Sequence, residues 1–168
     1  MIIREEAKED FGQIYDLVKV AFETAKVSNG KEQDYVNQLR NSENYIPELA
    51  LVAEENGKLI GQIMLTKMPI INGEIKHETL LLGPISVVLE LRNKGIGSQL
   101  IKESFRRAKQ LKYGSVVLVG DPAYYHRFGF RPSVDFNIKY AHFIPDENVM
   151  ACELIPNALQ GVSGTFCC

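Results

Sequence analysis

The chain lacks an excess of either charge: 19 Lys and Arg stand against 21 Asp and Glu, a formal net of −2 with a pI near 6.0. That balance argues against general nucleic-acid binding, which needs a basic face. No apolar run approaches the roughly 18–20 residues of a membrane-spanning helix, so no membrane partner is expected. Cysteine is scarce, with only Cys152, Cys167 and Cys168, the last two adjacent. None stands at metal-ligand spacing from a histidine, so no metal is expected, and free thiols of a reducing compartment are. The first residues, Met1-Ile2-Ile3-Arg4-Glu5-Glu6, show no basic leader or cleavage site, and the expected location is cytoplasmic. Repeats, low-complexity segments and linkers are also missing. A length of 168 residues suits one core, and a single domain over 1–168 is expected.

What is present is a sequence of punctuated periodic segments. Ile2 to Glu5 reads as a short strand. Phe11, Ile14, Tyr15, Val18, Ala21, Phe22 and Ala25 recur at helical spacing, with Asp10 as the expected cap. A more polar helix is expected over 31–40. A strand over 49–55 meets the hairpin signal Asn56-Gly57, and a long strand over 58–71 meets Asn72-Gly73. The next strand carries Leu80-Leu81-Leu82-Gly83-Pro84-Ile85-Ser86-Val87-Val88. Its inner Gly83-Pro84 predicts a bulge or splayed edge, because proline cannot donate to a ladder. Beyond come an amphipathic helix from about Gly97 to Leu111, a buried strand over 115–119, and a short helix capped by Asp121-Pro122 and closed by Gly129. Strands over 134–140 and 149–154 and a loop-like tail from Gly161 complete the chain. The order β-α-α-β-β-β-α-β-α-β-β predicts a mixed α/β fold.

The most informative residues are Arg92-Asn93-Lys94-Gly95-Ile96-Gly97. Glycines at a strand-to-helix junction leave backbone N–H groups accessible at the positive end of the helix dipole. Arg92 and Lys94 add full charges, so the loop suits a phosphate, and a pyrophosphate in particular. A Walker loop is excluded because the lysine precedes the glycines. A dinucleotide fingerprint is excluded because Leu100 stands where its third glycine would be. The pattern R-x-x-G-x-G after a central strand is satisfied by Arg92, Gly95 and Gly97.

With Ile85-Ser86-Val87 before the loop and Ser98-Gln99-Leu100 after it, this pattern resembles the GNAT superfamily of acetyl-CoA-dependent N-acetyltransferases. A second stretch, Tyr125-His126-Arg127-Phe128-Gly129-Phe130, is similar to the family's Tyr-x-x-x-Gly-Phe segment. The longer run from Gly120 to Pro132 and the terminal Gly161-Val162-Ser163-Gly164-Thr165 look like the small bacterial YhbS-like branch. In element order the likeness covers essentially the whole chain. It implies a GNAT-like acyl-CoA N-acyltransferase fold, with a central mixed sheet splayed at the fourth strand and helices on both faces.

The resemblance further implies transfer of an acetyl group from acetyl-CoA to an amine. Arg92, Asn93, Lys94, Gly95, Ile96, Gly97 and Ser98 would hold the pyrophosphate. Ile85, Ser86 and Val87 would line the pantetheine arm as an added strand does. Tyr125 takes the family position of the general acid that protonates the departing thiolate, with Tyr124, about 100° away on a helix, ranked second. Phe128 would contact the cofactor, and the Val87 N–H would meet the oxyanion. For the general base, Glu78 and a water chain both stay open. The acceptor is expected to be a small-molecule or peptide amine, met by residues 22–28, the second helix and the late strands. Nothing in the sequence writes the oligomeric state; a homodimer, the commonest assembly, is the expectation. A non-catalytic acyl-CoA-binding regulator on the same fold and a nucleotide-binding module of another fold are the competing readings.

Overall fold

A computed structural model describes residues 1–25 and 28–167. The chain divides into two compact units, each assembled from two segments: Met1–Thr66 with Gly83–Arg107, and Lys67–Leu82 with Ala108–Cys168.

In the first unit, β1 (Ile2–Glu5) is followed by α1 (Phe11–Glu23), α2 (Glu32–Arg40), β2 (Ala50–Glu55), the start of β3 (Lys58–Asn72), the end of β4 (Ile75–Val87) and most of α3 (Ile96–Gln110). β1 pairs antiparallel with β2, and β2 with β3, where Ala50 faces Met64 and Val52 faces Gln62. The β2–β3 turn uses Asn56 at φ 52° and Gly57 at φ 77°, the left-handed pair a tight hairpin demands. Ile14 and Val18 of α1 and Val36 of α2 pack on Ala50, Val52, Leu59 and Met64, so the four-residue spacing read from α1 marks its buried face.

Asp10 departs from its expected role. It makes no side-chain cap to α1. Its carboxylate accepts from Arg4 Nη1 at 2.7 Å and Nη2 at 3.0 Å, and from the Ala7 N–H at 2.7 Å. A single 3₁₀ turn over Lys8–Asp10 precedes the helix and draws the side chain back toward β1. A second ion pair is more deeply enclosed. Arg40 donates through Nε (2.7 Å) and Nη2 (3.0 Å) to Glu6, which also accepts from Tyr45 Oη at 2.7 Å. Only 7% of the Arg40 side chain and 4% of the Glu6 side chain are exposed.

In the second unit, the early part of β4 pairs parallel with β5 (Ser115–Val119) at Leu80↔Val116 and Leu81↔Val117. α4 (Pro122–Tyr125) and the two-residue β6 (Arg131–Pro132) follow, then β7 (Ile138–Tyr140), β8 (Val149–Glu153) and β9 (Gly164–Phe166). β8 runs antiparallel to both β5 and β6, while β9 runs parallel to β7 and meets Ile71 of β3. The fold is thus mixed α/β with both ladder types. Its core here includes Met68, Ile70, Leu81, Val117, Ile138, Val149, Ala151 and Phe166.

Three expectations are corrected. Of the strand expected over 134–140 only Ile138–Tyr140 is extended. Ser133–Phe136 forms a 3₁₀ turn that ends on Asn137 at φ 61°, a conformation Asn tolerates, and Ser133 Oγ closes it by donating to Ile138 O at 2.7 Å. The tail is not simply a loop, because Gly164–Phe166 is β9. β4 begins at Ile75, ahead of Leu80, and the turn before it lies at Gly73-Glu74. Among the described residues no helix is long and apolar enough to cross a membrane.

Candidate functional site

In the first unit the end of β4 meets the start of α3 at Gly61. A Cβ on Gly61 would lie 3.0 Å from Leu100 Cδ1, 3.1 Å from Ser86 O and 3.3 Å from Ile96 Cγ2. The bare backbone therefore lets β3, β4 and α3 close on one point. The Val88 N–H donates to Ile60 O at 2.9 Å, so Val88, just past the end of β4, turns its N–H to β3. Main-chain groups alternate along a strand, which directs the Val87 N–H to the opposite edge. Side chains alternate too. Ile85 and Val87 are half-buried, whereas Ser86 is buried and its Oγ accepts from Gln62 Nε2 at 3.1 Å. Ser86 was expected to line the cofactor with its neighbours; strand periodicity turns it inward to β3.

Leu89–Leu91 then makes one 3₁₀ turn, and Asn93 (φ 63°) and Gly95 (φ 85°) reverse the chain. A Cβ on Gly95 would meet no atom within 4 Å, so the left-handed backbone, not crowding, calls for glycine there. Gly95 O accepts from the Gln99 N–H at 3.0 Å. α3 therefore opens at Ile96, and the N–H groups of Ile96, Gly97 and Ser98 have no acceptor within the helix. Ile96 is buried and anchors this first turn on Gly61; Asn93, Lys94 and Gly95 are exposed, and Gly97 and Ser98 half-buried. The Arg92 guanidinium faces elsewhere than the expected anion seat. It donates to Ala21 O at 2.8 Å and Thr24 Oγ1 at 3.2 Å, satisfying the carbonyl end of α1 as a cation does at a helix C-terminus.

Tyr125 and Phe128 belong to the second unit. Asp121 caps α4 by accepting from the Ala123 N–H at 3.0 Å, Pro122 takes the first position, and Gly129 closes the following turn at φ 91°, all as the sequence implied. The Tyr125 ring meets Phe130 edge-on, with centroids 5.8 Å apart. It also lies where a Cβ on Gly120 would approach its Cε2 to 2.7 Å. Burial pushes its phenol above the usual tyrosine range, so the proton stays on oxygen at neutral pH. The Tyr124 ring meets that of Tyr125 edge-on at 5.0 Å and also packs on Phe128 at 5.5 Å and the Arg127 guanidinium at 4.8 Å. Burial raises its phenol too, with Arg127 opposing. Phe128 is half-buried against Tyr124. Glu78 is exposed on the first half of β4 and lines an open depression of about 430 Å³ with His77, Lys112 and Tyr113.

Cys152 is buried and Cys167 exposed, with Cys167 Sγ 3.5 Å from His142 Nε2; Cys168 lies outside the described residues. No group of three or more His, Cys, Asp or Glu suited to a metal occurs among the described residues. The sequence reading missed Gly61 and Gln62. Its only signal for them was a glycine interrupting a strand, which marks close approach of another backbone.

A family model described as an acetyltransferase (GNAT) domain matches residues 2–133. The N-acetyltransferase YhbS of Escherichia coli K12 is 28% identical over 165 residues, 98% of this chain and 93% of its own length. The crystal structure of E. coli YhbS in complex with CoA gives a TM-score of 0.86 at 26% identity, covering 99% of this chain and 88% of that one. A GNAT acetyltransferase from Brucella melitensis in complex with acetyl-CoA gives 0.79 at 28% identity over 98% and 93%. YjhQ, an N-acetyltransferase of E. coli K12, is 30% identical over 128 residues, 75% of this chain and 70% of its own. With the strand end, the glycine turn and the helix start already in place, these matches establish that the chain belongs to the GNAT acetyltransferase family.

Proposed function

We propose that this family member transfers the acetyl group of acetyl-CoA to a primary amine of a small molecule or peptide. The observation that carries the proposal is the exposed turn of Asn93 and Gly95 opening α3, a fixed set of N–H donors that suits a pyrophosphate. The CoA and acetyl-CoA complexes of the similar proteins support it. When bound, acetyl-CoA supplies an acyl carbon whose C–S bond breaks as the amine nitrogen bonds to it.

The chain's residues take the following parts. The N–H groups of 96–98 hold the pyrophosphate, Lys94 adds charge from the surface, and Asn93 and Gly95 shape the turn. Arg92 acts at one remove, fixing the loop to the end of α1. Ile85 and Val87 line the pantetheine arm, and the Val87 N–H donates to the oxygen on which charge develops. Tyr125 protonates the departing sulfur, and its half-buried, protonated phenol suits that duty. Phe128 acts through the aromatic packing of its segment. The amine loses its proton to a water chain or to Glu78, whose exposed place on β4 favours water. A homodimer is part of the proposal.

The test is release of CoA thiol across a panel of amines. Tyr125→Phe is expected to lower turnover by about 10²–10⁴-fold while acetyl-CoA affinity, measured by calorimetry, changes little. Unchanged turnover in the folded variant would remove Tyr125 from the mechanism. Acetyl-CoA binding without transfer to any amine would favour a non-catalytic acyl-CoA sensor.

A further inference from the structure

We infer that Gln62 is a positioning residue that sets the backbone of 85–87 and thereby aims the Val87 N–H; the inference rests on the role given to Val87 above. Gln62 lies inside β3 and is 2% exposed. A primary amide buried so fully is costly unless its donors are used. Its Nε2 donates twice, to Pro84 O at 3.2 Å and to Ser86 Oγ at 3.1 Å. One side chain thus grips β4 on both sides of Ile85.

The need for that grip follows from the sequence of β4. Pro84 has no N–H, so the ladder loses a main-chain donor just before the stretch that would carry the thioester. β4 stays a strand beside β3 through Val87, and just past its end the Val88 N–H bonds Ile60 O at 2.9 Å. Between Pro84 and Val88 the peptide planes of Ile85 and Val87 present their groups to the free edge, and their tilt depends on what holds the intervening residues. Gln62 adds a side-chain hold to the pairing with β3, from the buried face, while touching no reacting atom. Ser86 is then explained as well: its hydroxyl is buried to be held by Gln62, 4% exposed as a residue, and has no duty toward the cofactor.

The experiment uses acetyl-CoA carrying ¹³C at the carbonyl, with unlabelled CoA as the ligand that has no acyl oxygen. Infrared difference spectra read the hydrogen bond to that oxygen, and calorimetry reads both affinities. In the wild type the bound carbonyl band is expected below that of free acetyl-CoA. In Gln62→Leu at least half of that displacement should be lost. Acetyl-CoA affinity should fall about five- to tenfold, the size of one neutral hydrogen bond, with CoA affinity changed less than about twofold. Ser86→Ala removes one of the two anchors and should give an intermediate band; it carries the test if Gln62→Leu does not fold. Gln62→His, which keeps a ring N–H, should restore part of the displacement. A band in the variants equal to the wild type's, or equal loss of acetyl-CoA and CoA affinity, would overturn the inference. A wild-type band at the free position would instead overturn the role of Val87 itself.

Discussion

Gly61→Ala adds one methyl group at the point where β3, β4 and α3 converge. Leu100 Cδ1 at 3.0 Å and Ile96 Cγ2 at 3.3 Å are side-chain ends that can yield; Ser86 O at 3.1 Å is backbone and yields only if β4 moves. Overpacking of this kind costs about 1–3 kcal/mol. The same substitution gains about 0.4–1 kcal/mol by restricting the unfolded chain. At mid-range, about 2 against about 0.7 kcal/mol, the net is a loss of about 1.3 kcal/mol, which for a chain of this size lowers Tm by about 3–5 °C. Any movement of Ser86 O carries the adjacent Val87 with it, so ligand binding should weaken as well. Thermal unfolding followed by circular dichroism, with and without acetyl-CoA, measures both effects, since a ligand that binds only the folded state raises Tm by an amount that grows with the logarithm of its concentration over Kd. An unchanged or higher Tm together with an intact acetyl-CoA increment would refute the reasoning. It would mean that the three elements have slack at Gly61.

Arg40→Met leaves the Glu6 carboxylate buried without its bidentate partner, and urea denaturation should show a loss of about 3–5 kcal/mol. The double variant Glu6→Gln with Arg40→Met should recover part of it, and no recovery would show that the guanidinium stacked over Phe11, not its pairing with Glu6, dominates. Asp10→Asn tests linkage. Hydrogen bonds from Arg4, with the Ala7 N–H adding to them, hold the Asp10 carboxyl below the usual range. Its stabilising effect is therefore present above the unfolded carboxylate value and lost as pH falls through the folded one. The Tm gap between wild type and variant should be full near about pH 7 and close progressively below about pH 4. A gap independent of pH would exclude the charge as its source.

The parts of the fold that could be read from the sequence are those fixed by local physics. Asn56-Gly57 must take left-handed backbone, Asp121-Pro122 suits only a helix start, and Ile14, Val18 and Ala21 share a face by the helical period. The glycine turn of residues 93–97 was readable for the same reason. β9 was not, because three residues containing a glycine carry no periodic signal and gain strand structure by pairing with β7 and with Ile71 of β3. Residues 134–137 misled because Val134 and Phe136 suit a strand; what sets the turn is the bond from Ser133 Oγ to Ile138 O and the left-handed Asn137.

The sequence by itself determined the family pattern, the glycine turn at the head of α3 and the capped segment that carries Tyr125, since each is encoded in residues a few positions apart. The tertiary structure decided which way the polar groups around that turn face. Arg92 finds Ala21 O 71 positions away, and Gln62 finds Pro84 and Ser86 22 and 24 positions away. A buried donor or a guanidinium bonds to whichever acceptor packing brings near. That proximity is a property of the folded chain, and no local motif encodes it.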